Sequence, residues 1–432
     1  MQARSLMGLV ILLGALCPPG VGLAQQPLRV FLRAAAEAAL DGRRARLAAA
    51  RAGSLVDEAR GRLLPSVDVT GGYTRNEVQV NVPFVDEGGN PQQATITARD
   101  QAQATVRLNV PLVDVAAWSR FFAAESEATT GEAELAAVNL DVNVQVVRAY
   151  YRLAAARAVG ASARVALRTA EQNLATVESR ASAGLDSELS LARARADAAR
   201  AEQAVAEADL ESALAARQLE VLTGLAPDDA DAELPEDLAP EPPLAAWMGA
   251  ARRNPDVRAA EARLRASDRG RDASWQELLP VIEAFAQETY TNAPGFGPNF
   301  LWSVGVNATW VLDFVRPAAV VTERHVVDRQ RVAYEQALLD AETSIHDAWH
   351  RVQSLVVRAR AARTAYEASE QAARSARARY EAGTGTQLEV SQAERDLFEA
   401  DVGRIEADAD LATTRLVLRL ESGLPPARGA RP

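Results

Sequence analysis

The chain is one unit written twice. Residues 113–225 align with 312–424 at a constant shift of 199, without a gap. Identical pairs run along the whole stretch, among them Asp114/Asp313, Asp141/Asp340, Arg152/Arg351, Arg180/Arg379, Gly184/Gly383, Asp197/Asp396 and Gly224/Gly423. Upstream, Leu63-Leu64-Pro65 matches Leu278-Leu279-Pro280 at a shift of 215, so unequal loops absorb the difference. A period near 200 is far too long for a solenoid repeat. It reads as an internal duplication, and each element is expected twice around a pseudo-two-fold.

Within each copy the pattern is helix, strand, strand, very long helix, helix. The first copy, 25–225, begins with an Ala/Arg/Leu-rich helix over 29–63 that Pro65 stops. In strand 65–75, Val67, Val69 and Tyr73 alternate with Ser66, Asp68, Thr70 and Thr74. A polar stretch over 76–100 containing Gly and Pro reads as a loop. Strand 101–112 follows, with Ala102, Ala104, Val106, Leu108, Val110 and Leu112 on one face. A helix of about 70 residues runs over 114–183, roughly 100 Å at helical rise. Its apolar stripe includes Leu135, Val138, Val142, Val146 and Leu153, widened by Val144, Val147 and Tyr151, which suits a helix with neighbours on both sides. Gly184 breaks it, and 187–222 is helical again. The stretch 226–243 is acidic, Pro-rich and non-periodic, and reads as a linker.

The second copy, 244–424, repeats the order. It has helix 244–278, strands 280–290 and 300–312, long helix 314–382 and helix 387–421, with 425–432 left as a tail. End to end, the short helices 187–222 and 244–278 match the length of one long helix. So do 29–63 and 387–421. Each chain can therefore supply four rods of equal length, two continuous and two spliced. In strand 300–312, Phe300, Trp302, Val304, Val306, Ala308, Trp310 and Leu312 share a face. Ten or so alternating residues fit a tilted strand crossing a bilayer. Trp302 and Trp310 lie about 26 Å apart at strand rise, which suits two interfacial aromatic girdles. A half-buried sheet in a soluble sandwich is the alternative, but the flanking segments are all helical and offer no second sheet. Four strands cannot close a barrel, and open edges are not tolerated in lipid. Closure needs several copies of the chain; three give 12 strands and 12 rods.

Residues 1–24 read as a cleavable export signal. Arg4 starts it, Leu6 to Leu16 form its apolar stretch, and Gly22-Leu23-Ala24 supplies the cleavage site. The stretch is too short for a transmembrane anchor, and Leu16 is bulky for lipidation at Cys17. Loss of this segment removes the single Cys, leaving no disulfide, thiol nucleophile or Cys metal site. The chain contains no Lys, and its net charge of −11 argues against nucleic-acid binding.

The organisation, with particular residues at its breaks, resembles the TolC family of outer membrane channels. The carrying strings are Ala59-Arg60-Gly61-Arg62-Leu63-Leu64-Pro65 before the first strand and Asn254-Pro255-Asp256 opening the second repeat. To these is added Arg379-Tyr380-Glu381-Ala382-Gly383-Thr384-Gly385-Thr386 at the second hairpin. The resemblance covers essentially the whole mature chain. It implies a mainly α fold with a membrane β-barrel, in which a homotrimer forms a 12-stranded barrel continuing into a periplasmic α-helical tunnel. It also implies an outer-membrane location in a Gram-negative bacterium, contact with outer-membrane lipids, and two partners. These are a periplasmic adaptor and an inner-membrane pump of RND or ABC type.

By the same resemblance, the two hairpins form a periplasmic tip where adaptors dock: Gly184, Leu185 and Ser187 in the first, Gly383, Thr384 and Thr386 in the second. The tunnel entrance is assigned to Asp186, Ser190, Tyr380, Glu389 and Gln392. Glu389 falls on the family's acidic ring, while Gln392 replaces its second acid and Ser190 stands where an acid can occur. Gly385 stands where some members carry a latch Arg, so an ion-pair latch is not expected on that position.

Other constellations weigh less. Glu342, His346 and His350 share a helix face and could offer a metal a carboxylate and two imidazoles. With no fourth ligand nearby, they read as polar residues beside Trp349. Arg358, Arg360, Arg363, Arg374, Arg377 and Arg379 read as inter-helix pairing or a solvated face. No phosphate loop, nucleophile elbow or zinc motif occurs, so neither catalytic residues nor cofactors nor metals are assigned. The expectation is a passive export duct of a tripartite efflux or secretion system. A periplasmic helical scaffold without a pore is the alternative, and a secreted hydrolase lacks candidate residues.

Overall fold

The computed structural model describes residues 27–86, 88–228 and 234–424. The expected export signal, with Cys17, and the tail 425–432 lie outside the described residues. The chain divides into two compact units, one built from residues up to Ala34, Val146–Ala239 and Leu355–Thr413, the other from the remainder. Among the described residues there are eight α-helices and six strands. Helices α3 (Val115–Ser182) and α7 (Val315–Glu381) each contribute residues to both units.

The second unit holds the strands. Strands β1 (Ser66–Arg75), β4 (Asp100–Val113), β5 (Val281–Thr291) and β6 (Phe300–Thr309) form one antiparallel sheet in the order β1-β4-β5-β6. The two copies therefore meet at the centre, β4 against β5, and β1 and β6 are its edges. Cross-strand partners share a face, so the register sorts the side chains. Val69, Val106 and Glu288 stand in line with Trp302; Val67, Leu108 and Ala286 stand in line with Val304. One face is thus mainly apolar across all four strands, with Glu288 within it and the Arg75–Asp100 pair at its end. The other carries Asp68, Arg107, Asn109 and Glu283, tied together by Arg107–Glu283 at 3.8 Å and Asn109–Asp68 at 2.5 Å. Gly305 makes room on this polar face for the Phe285 ring, which stands 3.0 Å from where a Cβ would be. The apolar face is largely bare: Val69, Trp302, Val304 and Val306 are 72%, 78%, 67% and 66% exposed.

The structure departs from the sequence reading in four places. The expected loop 76–100 contains a hairpin of β2 (Val80–Val85) and β3 (Pro91–Thr97). Asp86 closes its turn by accepting from Gly88 N at 3.0 Å and Asn90 N at 2.8 Å, and Phe84 packs edge-on against Phe296. Pro83 and Pro91 hid these strands, because proline removes a ladder donor. The expected helix 29–63 is two helices, α1 (Leu28–Ala38) and α2 (Leu40–Gly61), since Ala39 turns to φ −57°, ψ 126°. No Gly or Pro at Ala39 signals that break. The expected helix 244–278 is α5 (Leu244–Met248), a 3-10 turn over Ala251–Arg253, and α6 (Pro255–Gln276). Pro255 forces Asn254 out of the helical region, and Asn254 caps α6 by accepting from Asp256 N at 2.8 Å. The last strand ends at Thr309 instead of residue 312.

The first unit is helical. Its core is small-residue and aliphatic: Val146, Leu153, Ala163, Ala208 and Leu219 on one hairpin, Ala359, Ala373, Ile405 and Leu411 on the other. Small side chains let helix backbones approach closely, and the contact is then dispersion over a long seam rather than a few large anchors. The hairpins are α3 with α4 (Glu188–Thr223) and α7 with α8 (Gln387–Glu421).

Candidate functional site

Both helical hairpins of the first unit turn by the same device. Gly184 and Gly383 take positive φ, 75° and 76°. Leu185 N donates to Arg180 O, and Thr384 N to Arg379 O, both at 2.9 Å. These are Schellman closures, which favour Gly because an L side chain is strained there. Each following helix is capped by the next hydroxyl. Ser187 Oγ accepts from Ser190 N at 3.1 Å, and Thr386 Oγ1 accepts from Glu389 N at 3.3 Å. Glu389 reaches back to accept from Thr386 N at 3.3 Å, completing a capping box. Leu185 and Leu189 of the first turn and Leu388 of the second are exposed, so each tip shows apolar side chains beside its cap.

Immediately inside the turns the two hairpins are joined. Tyr380 of α7 is buried against Val177, Ala194 and Val390. Its hydroxyl donates to Asp186 Oδ2 at 2.7 Å. Arg180 Nε donates to the same oxygen at 2.9 Å, and its guanidinium lies 4.9 Å from the centre of the Tyr380 ring. Burial, followed by the bond to Asp186, pushes the Tyr380 hydroxyl up to about 12. An ion pair therefore does stand at the joint, with its cation supplied by α3. Position 385 is tight even for a Cβ. A Cβ there would meet Tyr380 N at 3.0 Å and Arg379 Cβ at 3.1 Å.

About three turns further along α4, a second polar joint links α4 to α8. Ser391 Oγ donates to Asp197, Gln387 Nε2 donates to Ser391 Oγ at 2.9 Å, and Arg200 and Arg395 flank Asp197 at 2.7 and 3.6 Å. A cavity of about 270 Å³ opens beside it, lined by Asn173, Glu394 and Phe398 among others.

Of the residues singled out by sequence, the structure brings Asp186 and Tyr380 together, places Ser190 in the Ser187 cap, and commits Glu389 to its own helix and to Arg379 at 3.7 Å. Gln392 is exposed. Sequence reasoning missed Arg180, Asp197 and Ser391. Arg180 was legible as the counterpart of Arg379 at the 199-residue shift, but nothing local distinguished it. The arginines read as inter-helix pairs are mostly such: Arg358–Asp410 at 3.2 Å, Arg363–Asp408 at 2.8 Å, and Arg377 with Glu394. Arg374 instead pairs within α7, with Glu370 at 3.4 Å.

On the sheet, Trp302 projects from the apolar face, and Trp310, one residue past β6, donates Nε1 to Leu278 O at 3.0 Å. Among the described residues no helix is long and apolar enough to cross a membrane.

Comparisons with known proteins agree with this architecture. The family model described as outer membrane efflux protein matches residues 32–225 and 249–423, once for each copy of the duplication. Protein CyaE of Bordetella pertussis is 28% identical over 319 residues, a match spanning 70% of this chain and 66% of CyaE, just under two thirds of its length. The CmeC outer membrane channel of Campylobacter jejuni has a similar fold, with a TM-score of 0.77 at 17% identity, covering 92% of this chain and 86% of CmeC. The open state of the MtrE outer membrane channel of Neisseria gonorrhoeae gives 0.74 at 21% identity, covering 93% and 90%. The outer membrane protein VceC of Vibrio cholerae gives 0.74 at 19%, covering 92% and 96%. The chain belongs to the outer membrane efflux protein family.

Proposed function

We propose that this chain is the outer-membrane duct of a tripartite export system. The single observation that supports this best is the four-stranded sheet, mainly apolar across one face and left with an edge at β1 and at β6. Such a sheet satisfies its backbone in lipid only by closing with other copies. Three copies close a 12-stranded barrel, with Trp302 and Trp310 at the two interfaces. The long hairpins extend into the periplasm as a helical tunnel. No bond is made or broken in the duct; transport is driven by an inner-membrane pump, of RND or ABC type, reached through a periplasmic adaptor.

The tip turns, with Gly184, Leu185, Ser187, Gly383, Thr384 and Thr386, meet the adaptor. The entrance is closed by Tyr380 and Asp186, with Glu389, Ser190 and Gln392 around it. Purified protein placed in a planar bilayer is expected to give discrete conductance steps. Electrically silent protein at any concentration would count against a duct.

A further inference from the structure

We propose that His346 and His350 form a two-imidazole site for a divalent late transition metal, with Cu²⁺ held more tightly than Ni²⁺ or Zn²⁺. The two residues are one turn apart on α7, so their side chains leave the same face. The ring centroids are 4.4 Å apart and the planes are inclined at 52°. Both residues are exposed, so a cation reaches them from solvent.

Each ring is held by a neighbour. His350 is packed edge-on by Trp349, with centroids 4.8 Å apart and planes at 89°. Trp349 is itself fixed, because its Nε1 donates to Pro242 O at 2.8 Å. Asp347 Oδ1 stands 3.5 Å from His346 Nδ1, which leaves the Nε2 of that ring for a metal. A carboxylate on the far nitrogen orients a ligating imidazole and raises its basicity. The sequence shows the i, i+4 spacing but neither the ring approach nor the pinned tryptophan, which together present the two imidazoles as a pair.

The donor set also limits the site. Among the described residues no three His, Cys, Asp or Glu side chains converge on one point. Two imidazoles with water in the remaining positions suit tetragonal Cu²⁺ better than a closed tetrahedral Zn²⁺ cage, and the general order of divalent affinities also favours Cu²⁺.

The test uses the full-length protein, purified in detergent without a histidine tag and titrated with Cu²⁺, with binding followed by electron paramagnetic resonance. The proposal expects nitrogen hyperfine coupling from two imidazoles. It further expects at least tenfold weaker binding in His346→Ala and in His350→Ala, and unchanged binding in His325→Ala, the third imidazole of the chain. Asp347→Asn is expected to weaken Cu²⁺ by about tenfold, in line with the loss of an outer-sphere partner. Equal affinity and an unchanged spectrum in the His346→Ala/His350→Ala double variant would overturn it. So would a wild-type spectrum without nitrogen coupling.

Discussion

Tyr380 holds its proton to a higher pH than an ordinary tyrosine, and the sign of the effect on stability follows. The unfolded phenol ionises near 10, the folded one at about 12. The fold therefore favours the neutral form. That contribution is complete below pH 10 and is lost as pH rises through 12. Denaturant midpoints taken between about pH 9 and pH 12 should fall more steeply in the native protein than in Tyr380→Phe; equal slopes would place the titrating group elsewhere. Asp186→Ala removes the acceptor of a buried hydroxyl and the partner of Arg180. It should cost roughly 1–3 kcal/mol at this joint and raise the conductance of reconstituted protein. Glu389→Gln keeps the capping box, which Gln also completes, while removing the charge that faces Arg379. It should lower cation preference, read as a smaller reversal potential in a salt gradient, and an unchanged value removes Glu389 from any selectivity role. Residue-scale legibility was uneven. Asp186 and Tyr380 were readable through the family resemblance at the hairpins, whose turns the glycines mark. Ser391 was not, because its bond to Asp197 arises only when two segments about 200 residues apart are packed together, and Arg180 showed only as the repeat counterpart of Arg379, its pairing with Asp186 lying across the turn.

At the scale of elements, the alternation in β6 places neighbouring residues on opposite faces, and a pair of substitutions separates the two environments. Val304 lies on the apolar face and Ser303 on the polar one. Val304→Arg should cost about 2–4 kcal/mol if that face meets lipid at mid-depth and should reduce the amount recovered in the outer-membrane fraction. Ser303→Arg should be recovered normally. Equal recovery of the two would contradict lipid contact. Gly383→Pro forces φ to about −65° at a residue that holds 76°. It should abolish adaptor-dependent export while the barrel still assembles, and normal export in that variant would move docking away from the turn. The four long strands were legible from their alternation, and helix-stopping prolines mark the starts of two of them, Pro65 before β1 and Pro280 before β5. The β2–β3 hairpin was not, because its turn and its two prolines carry the composition of a loop. The break at Ala39 leaves no trace in composition, whereas that at Asn254 was visible in the proline that follows it.

For the whole molecule, the duplication is the organising fact. It delivers two strand pairs that join at β4 and β5, and two helical hairpins with the same glycine closure. Neither sheet edge is met within the described chain. On the proposed reading, further copies cover those edges and lipid covers the bare apolar face. Copy number is therefore the decisive quantity. Native mass spectrometry of the particle extracted from the outer membrane tests it most directly. The mass of three chains in one particle is expected, and a particle of a single chain would rule out a barrel closed by several copies.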